Sequence, residues 1–172
     1  MIKKLFLLSL MCGTMLYADP LSGTVLPNLS FKLMDGGHTT LDELLQDGPV
    51  FIDFWATWCA PCKKAMIHLE RFQQKYSKDG FKILAISTDT PRSMSKVKSY
   101  IRSKKYSFIV ALDHNQQIAQ KLNATLLPTS LLINQNREIV WFHQGYIPGD
   151  EVEIEKQILA VLNYKTTRIK SE

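Results

Sequence analysis

The sequence predicts an α/β sandwich on one mixed central sheet, and three observations carry that prediction. Short apolar, β-branched runs alternate with stretches whose apolar residues recur at helical spacing, the order of a sheet with crossover helices. The last two strand-like runs flank a short polar turn, so the sheet should end in an antiparallel hairpin, with a final helix after it. Of 172 residues, 45% are hydrophobic and 22% charged, enough to bury one sizeable core, and no repeat or linker divides the chain. That composition excludes collagen-like, low-complexity and disulfide-scaffold proteins. A formal charge of +5 permits nucleic-acid or membrane-surface binding without implying either, and no nucleic-acid partner is expected.

Met1 to Ala18 reads as an export signal. Lys3 and Lys4 make a basic start, Leu5 to Met11 with Met15 and Leu16 an apolar stretch too short for a good membrane span, and Ala18 the small residue before cleavage. The mature chain would begin at Asp19, and its expected location is periplasmic or otherwise extracytoplasmic. Cys12 falls inside the signal, where Ser9-Leu10-Met11 matches a lipid-anchored cysteine poorly. Cys59 and Cys62 are then the cysteines of the mature chain, in a compartment where a disulfide can persist.

Residues 29 to 40 read as two short strands around the turn Asp35-Gly36-Gly37, and Leu41 to Gln46 as a short helical turn. Pro49 to Trp55 is an apolar, β-branched and aromatic run of strand length, a buried central strand interrupted by one charge, Asp53. From Cys59 to about Lys78, the residues Cys62, Ala65, Met66, Leu69, Phe72 and Tyr76 repeat at i, i+3, i+4. This spacing puts Cys62 on the buried stripe of a helix and Cys59 at its start. Phe81 to Ser87 is the next strand. Thr90-Pro91 opens a further helix, with Thr90 as cap and Met94, Val97 and Ile101 on one face. Ser107 to Leu112 reads as a strand, Gln116 to Leu122 as a short helix, and Thr129 to Asn134 with Glu138 to His143 as the hairpin. The last helix starts near Asp150, where Asp150 and Glu153 have capping-box spacing, and Ile154, Ile158, Leu159 and Leu162 give its core face. Lys165 to Glu172 reads as a frayed polar tail, leaving 19–164 as the folded domain.

Trp58-Cys59-Ala60-Pro61-Cys62 follows the central strand and opens a helix. Two cysteines at this spacing can close a small disulfide ring, and a helix N-terminus lowers the pKa of the first thiol by favouring its thiolate. Lys63 and Lys64 add positive charge nearby. Cys59 is therefore expected as an exposed nucleophile and Cys62 as the resolving thiol. The proton leaving Cys62 needs an acceptor, and Asp53 is the candidate, because burial without a partner should raise its pKa.

With those residues in view, PVFIDFWATWCAPC resembles the active-site strand and redox motif of the thioredoxin superfamily, and LLPTSLLIN resembles its cis-proline segment, here Pro128. GTVLPNLSFKLMDGG, the FWATWC form of the motif, and the helix and strand between Pro91 and Leu112 are similar to the exported TlpA/ResA-type thiol-disulfide oxidoreductases. The resemblance covers roughly residues 23 to 163. It implies a three-layer α/β/α thioredoxin fold with an N-terminal β-hairpin extension and a helix-strand insertion. It also implies that Pro128 packs beside the disulfide, that Leu127 offers its backbone to an extended substrate segment, and that Trp58 walls the site, with Trp55 and Trp141 in or near the core. A glutamate and a proline that many such proteins carry after the second cysteine are replaced here by Ala65 and Ile67, so the acid-base work falls on Asp53. Ala60 and Pro61, with Lys63, tune the couple. The proline resembles thioredoxin's Gly-Pro, and no histidine stands between the cysteines, which points to a reducing couple near about −270 mV. A monomer is expected, with no metal or organic cofactor. Its expected partners are exported proteins with disulfides, apocytochromes or proteins with misformed disulfides among them, and a membrane thiol-disulfide donor to recharge it.

The sequence also admits rivals. A disulfide oxidase or isomerase of the same fold would use the same cysteines. Metal binding could draw on the cysteines with His68 or His143, but His68 lies off its helix's apolar stripe. A peroxiredoxin needs its threonine where Ala56 stands, and Thr57 is one place off. A non-redox binding module could use the basic run Arg92, Lys96, Lys98, Arg102, Lys104 and Lys105, which has no acid between 92 and 112.

Overall fold

The computed structural model describes residues 21–169, so the export signal, Cys12 and the cleavage point at Ala18 lie outside the described residues. A seven-stranded mixed sheet runs through it. Its strands are β1 (Ser30–Leu33), β2 (His38–Thr40), β3 (Val50–Trp55), β4 (Lys82–Ser87), β5 (Ile109–Leu112), β6 (Thr129–Ile133) and β7 (Ile139–Gln144). Their spatial order is β2-β1-β5-β4-β3-β6-β7. Strands β3, β4 and β5 are parallel, and β6 and β7 close one side antiparallel. The β1–β2 hairpin closes the other by pairing with β5.

The helices are α1 (Leu41–Leu45), α2 (Ala60–Tyr76), α3 (Met94–Lys104), α4 (Gln117–Lys121) and α5 (Asp150–Ile169). They make the outer layers because β3 is buried on both faces and side chains alternate along it. Phe51 and Trp55 pack with α2, α3 and α5 in one apolar cluster. Val50, Ile52 and Phe54 pack with α1 and the α4 region in the other. The thioredoxin-type sandwich expected from the sequence is the observed fold, with its N-terminal hairpin and the α3–β5 insertion. Among the described residues, no helix is long and apolar enough to cross a membrane.

The buried residues of α2 are the six of the expected stripe. Four local expectations are corrected. Thr90 makes no side-chain cap; the chain passes Pro91–Ser93 as a 3-10 turn before α3. No capping box joins Asp150 to Glu153. Asp150 instead accepts from the Ile147 amide (2.9 Å), and Glu153 reaches forward to Lys156 and Gln157. Among the described residues, a capping box is formed by Thr40 and Glu43, at the start of α1. Leu159 is 40% exposed, because the α5 seam follows Ile154, Ile158 and Leu162 at intervals of four and leaves Leu159 on its flank. The helix also continues to Ile169, through residues read as a polar tail.

Candidate active site

The loop leaving β3 carries Thr57 and Trp58 into α2, and the two cysteines sit at that junction. Cys59 is the N-cap of α2 in extended conformation, with Pro61 in the first turn. Its sulfur is bonded to that of Cys62, with the Cα atoms 5.3 Å apart. The Cys62 amide donates to the Cys59 sulfur at 3.2 Å. A helix-end N–H aimed at this sulfur stabilises the same atom as a thiolate once the pair is reduced.

Cys59 is not the exposed residue the sequence suggested. It is 4% exposed and Cys62 is fully buried, because an N-cap side chain folds back over the first helical turn and the disulfide holds it there. The exposed group is Trp58, at 73%. Lys63 is half-buried, with its ammonium 5.2 Å from the Tyr100 ring centre on α3, so its charge is held on the α3 side of the motif.

Asp53 is wholly buried in the middle of β3. Alternation along the strand puts it on the face of Phe51 and Trp55, under α2, where Cys62 is also packed. Burial pushes its carboxyl up to about 7. The expectation of no partner needs correction: Oδ1 accepts from Ser130 Oγ at 2.9 Å, which opposes that rise. Its other oxygen has no partner. Among the described residues, Asp53 Oδ2 and Trp55 Nε1 are the buried side-chain polar atoms left unbonded.

Leu127–Pro128 is a cis peptide bond. Because β6 runs antiparallel to β3, with Thr129 opposite Phe54, Pro128 lies at the end of β3 from which the cysteine loop departs. Pro128 is buried and Leu127 half-buried. The Pro128 carbonyl accepts from the Gly145 amide at 2.7 Å, while Leu127 has no backbone hydrogen bond to another described residue. Trp55 is fully buried and Trp141 packs against the same core. The two histidines considered as metal ligands are engaged elsewhere: His68 beside the Tyr146 ring, and His143 stacked on Trp141 and 3.3 Å from Asp150.

Two residues near the site escaped sequence reading. Ser130 is one; its link to Asp53 follows from the register Asp53↔Ser130, which no local pattern states. Asp89 is the other. This buried carboxylate accepts from the Thr57 amide (2.8 Å), the Thr57 hydroxyl (2.6 Å) and the Ser87 hydroxyl (3.0 Å). It thereby ties the end of β4 to the loop in front of Trp58 and Cys59. An acid two residues past a strand with the apolar centre Ile83–Ile86 was the available signal.

The Redoxin family model matches residues 21–159. The thiol-disulfide oxidoreductase ResA of Halalkalibacterium halodurans is 31% identical over 126 residues, covering 73% of this chain and 70% of that protein. ResA of Bacillus thuringiensis is 33% identical over 118 residues, 69% of this chain and 66% of that protein. The matched region thus spans about two thirds of these relatives' length. Among solved structures, one from Chlorobium tepidum described as a thiol:disulfide interchange protein DsbE superposes with a TM-score of 0.75 at 29% identity. It covers 82% of this chain and 97% of its own.

Proposed function

We propose, from the premise that this chain belongs to the Redoxin family and is a thiol-disulfide oxidoreductase, that it reduces disulfides in exported proteins. In this reading Cys59 attacks and Cys62 resolves. The observation that carries it is a disulfide at a strand-to-helix junction, with a buried, half-satisfied carboxyl on the sheet face beneath the same helix.

In the reduced protein the Cys59 thiolate attacks one sulfur of a client disulfide, forming a mixed disulfide and expelling the first client sulfur as a thiolate that takes a proton from solvent. Asp53, as carboxylate, accepts the proton of the Cys62 thiol. The Cys62 thiolate attacks Cys59 Sγ, and the Cys59–Cys62 disulfide closes as the second client thiolate leaves. Two electrons have passed to the client, and the structure corresponds to the oxidised protein. A membrane thiol-disulfide donor must return those electrons. Pro128 and the free backbone of Leu127 suit the client's extended segment as an added strand, and Trp58 offers an exposed apolar wall. Export rests on the Met1–Ala18 signal.

A Cys62→Ser variant expressed in cells should accumulate mixed disulfides that run apart on non-reducing gels, and a Cys59→Ser variant should accumulate none. The same adducts on Cys59→Ser would reverse the assignment. A reduction potential near about −270 mV fits a reductant; one near about −120 mV would make the protein an oxidant instead.

A further inference from the structure

Between the redox loop and α3 runs a groove of about 810 Å³. Thr57 and Trp58 form one wall, Lys63 and Tyr100 lie between, and Lys96 and Ser99 stand on the α3 wall. Tyr100 is fixed from below by Trp55, ring centres 5.6 Å apart, and carries the Lys63 ammonium over its face. The groove is therefore continuous with the loop that presents Cys59. It lies on the β4 side of β3, opposite the β6 side where Pro128 sits.

Its charge is one-sided. Arg92, Lys96, Lys98, Arg102, Lys104 and Lys105 share this segment with no acid from 92 to 112. None of the six is in an ion pair among the described residues; the pairs there engage Lys75, Lys82, Arg137, His143 and Lys156. Helical spacing puts Lys96 on the groove face and Arg102 at its flank, while Val97 and Ile101 turn into the core. The Ser103 hydroxyl is engaged by the Tyr100 carbonyl at 2.8 Å; those of Ser95 and Ser99, also on the groove, bond no other described residue. Lys96, unpaired beside unengaged hydroxyls in a concave channel that no carboxylate lines, with the other unpaired cations on the same segment outside it, suits a polypeptide carrying carboxylates, whereas a bilayer surface would meet the cations without entering the channel.

We propose that this groove docks an acidic, extended segment of the client next to the disulfide that Cys59 attacks. The proposal rests on the reading of Cys59 as the attacking sulfur and adds to it a preference by charge. Such a preference acts on encounter rate and register and weakens with salt.

The binding arm of the test needs no chemistry. The oxidised full chain is titrated into a fluorescent peptide bearing glutamates around serines in place of the client cysteines, and into the same peptide with glutamine for glutamate. The acidic peptide should bind about fivefold tighter or better at low salt, with that ratio collapsing at high salt and for the exposed-site variants Lys96→Glu and Arg102→Glu. Equal binding of the two peptides, or a ratio untouched by both variants, overturns the proposal. So does binding to anionic phosphatidylglycerol vesicles that the acidic peptide fails to displace. Turnover of a neutral disulfide peptide, measured alongside, separates the two readings. Acidic-peptide binding without any turnover overturns the oxidoreductase reading; turnover without charge preference overturns the groove.

Discussion

Two carboxylates are shut away from solvent around the redox loop, Asp53 on β3 and Asp89 just past β4, and the fold treats them differently. Asp89 meets three donors, with Thr57 and Ser87 saturating both of its oxygens. Asp53 meets one donor and keeps an oxygen unbonded. A buried carboxylate is costly unless hydrogen bonds replace the water it lost. Asp89 recovers that cost and can serve as a fixed tie between two segments. Asp53 does not, so its proton is held up to about pH 7, where it can be exchanged. In the proposed mechanism, satisfaction of the second oxygen is what separates a clamp from a proton acceptor.

Asp53→Asn should give the largest effect. Release of the client from its mixed disulfide, followed by rapid quench, should slow about a hundredfold at neutral pH, while the first attack by Cys59 is retained. In the parent the release step should rise with pH through about 7, and that rise should be absent in the variant. Stability should move the other way. The folded protein holds the Asp53 proton where the unfolded chain has released it, so the parent loses stability as pH climbs from the ordinary carboxylate range, 3.8, through about 7. Asparagine keeps the shape and removes the charge. Urea unfolding at pH 8 should show the variant more stable by on the order of 4 kcal/mol, and the gap should shrink toward zero near pH 4. Unchanged release with an unchanged gap would make Asp53 an inert core residue.

Asp89→Ala comes next, and its signature should be stability. It strands the Thr57 amide, the Thr57 hydroxyl and the Ser87 hydroxyl, at a cost of about 2–4 kcal/mol in urea unfolding, of which Asp89→Asn should recover part. An Asp89 variant that slowed release more than Asp53→Asn would invert the comparison. Ser130→Ala should be the smallest. It removes the hydrogen bond that lowers the Asp53 pKa, so the midpoint of the release profile should shift upward by up to about one unit. A downward shift would mean that Ser130 favours the protonated acid.

The chemistry of the cysteine pair was legible because it is local. A strand-length apolar run, two cysteines three apart and a helical stripe ending in Tyr76 lie within one stretch of chain, and each depends on near neighbours. Asp53 was also visible, as a lone charge in an apolar run. Its hydrogen-bond partner was not. Ser130 is 77 positions from Asp53, and Thr57 is 32 from Asp89; a pattern read over a few residues contains neither pair. The same limit explains Leu159, whose apolar character fits a core face but which the seam through Ile154, Ile158 and Leu162 leaves on its flank.

By itself, then, the sequence determined the redox pair, the strand and helix that hold it, and the buried sign of Asp53, since propensity, periodicity and capping act within a few residues. The tertiary structure alone decided which carboxylate is satisfied, how deeply Cys59 lies, and that α3 faces the redox loop across a basic groove. Those outcomes come from strand register and helix docking, where groups distant along the chain must share one space.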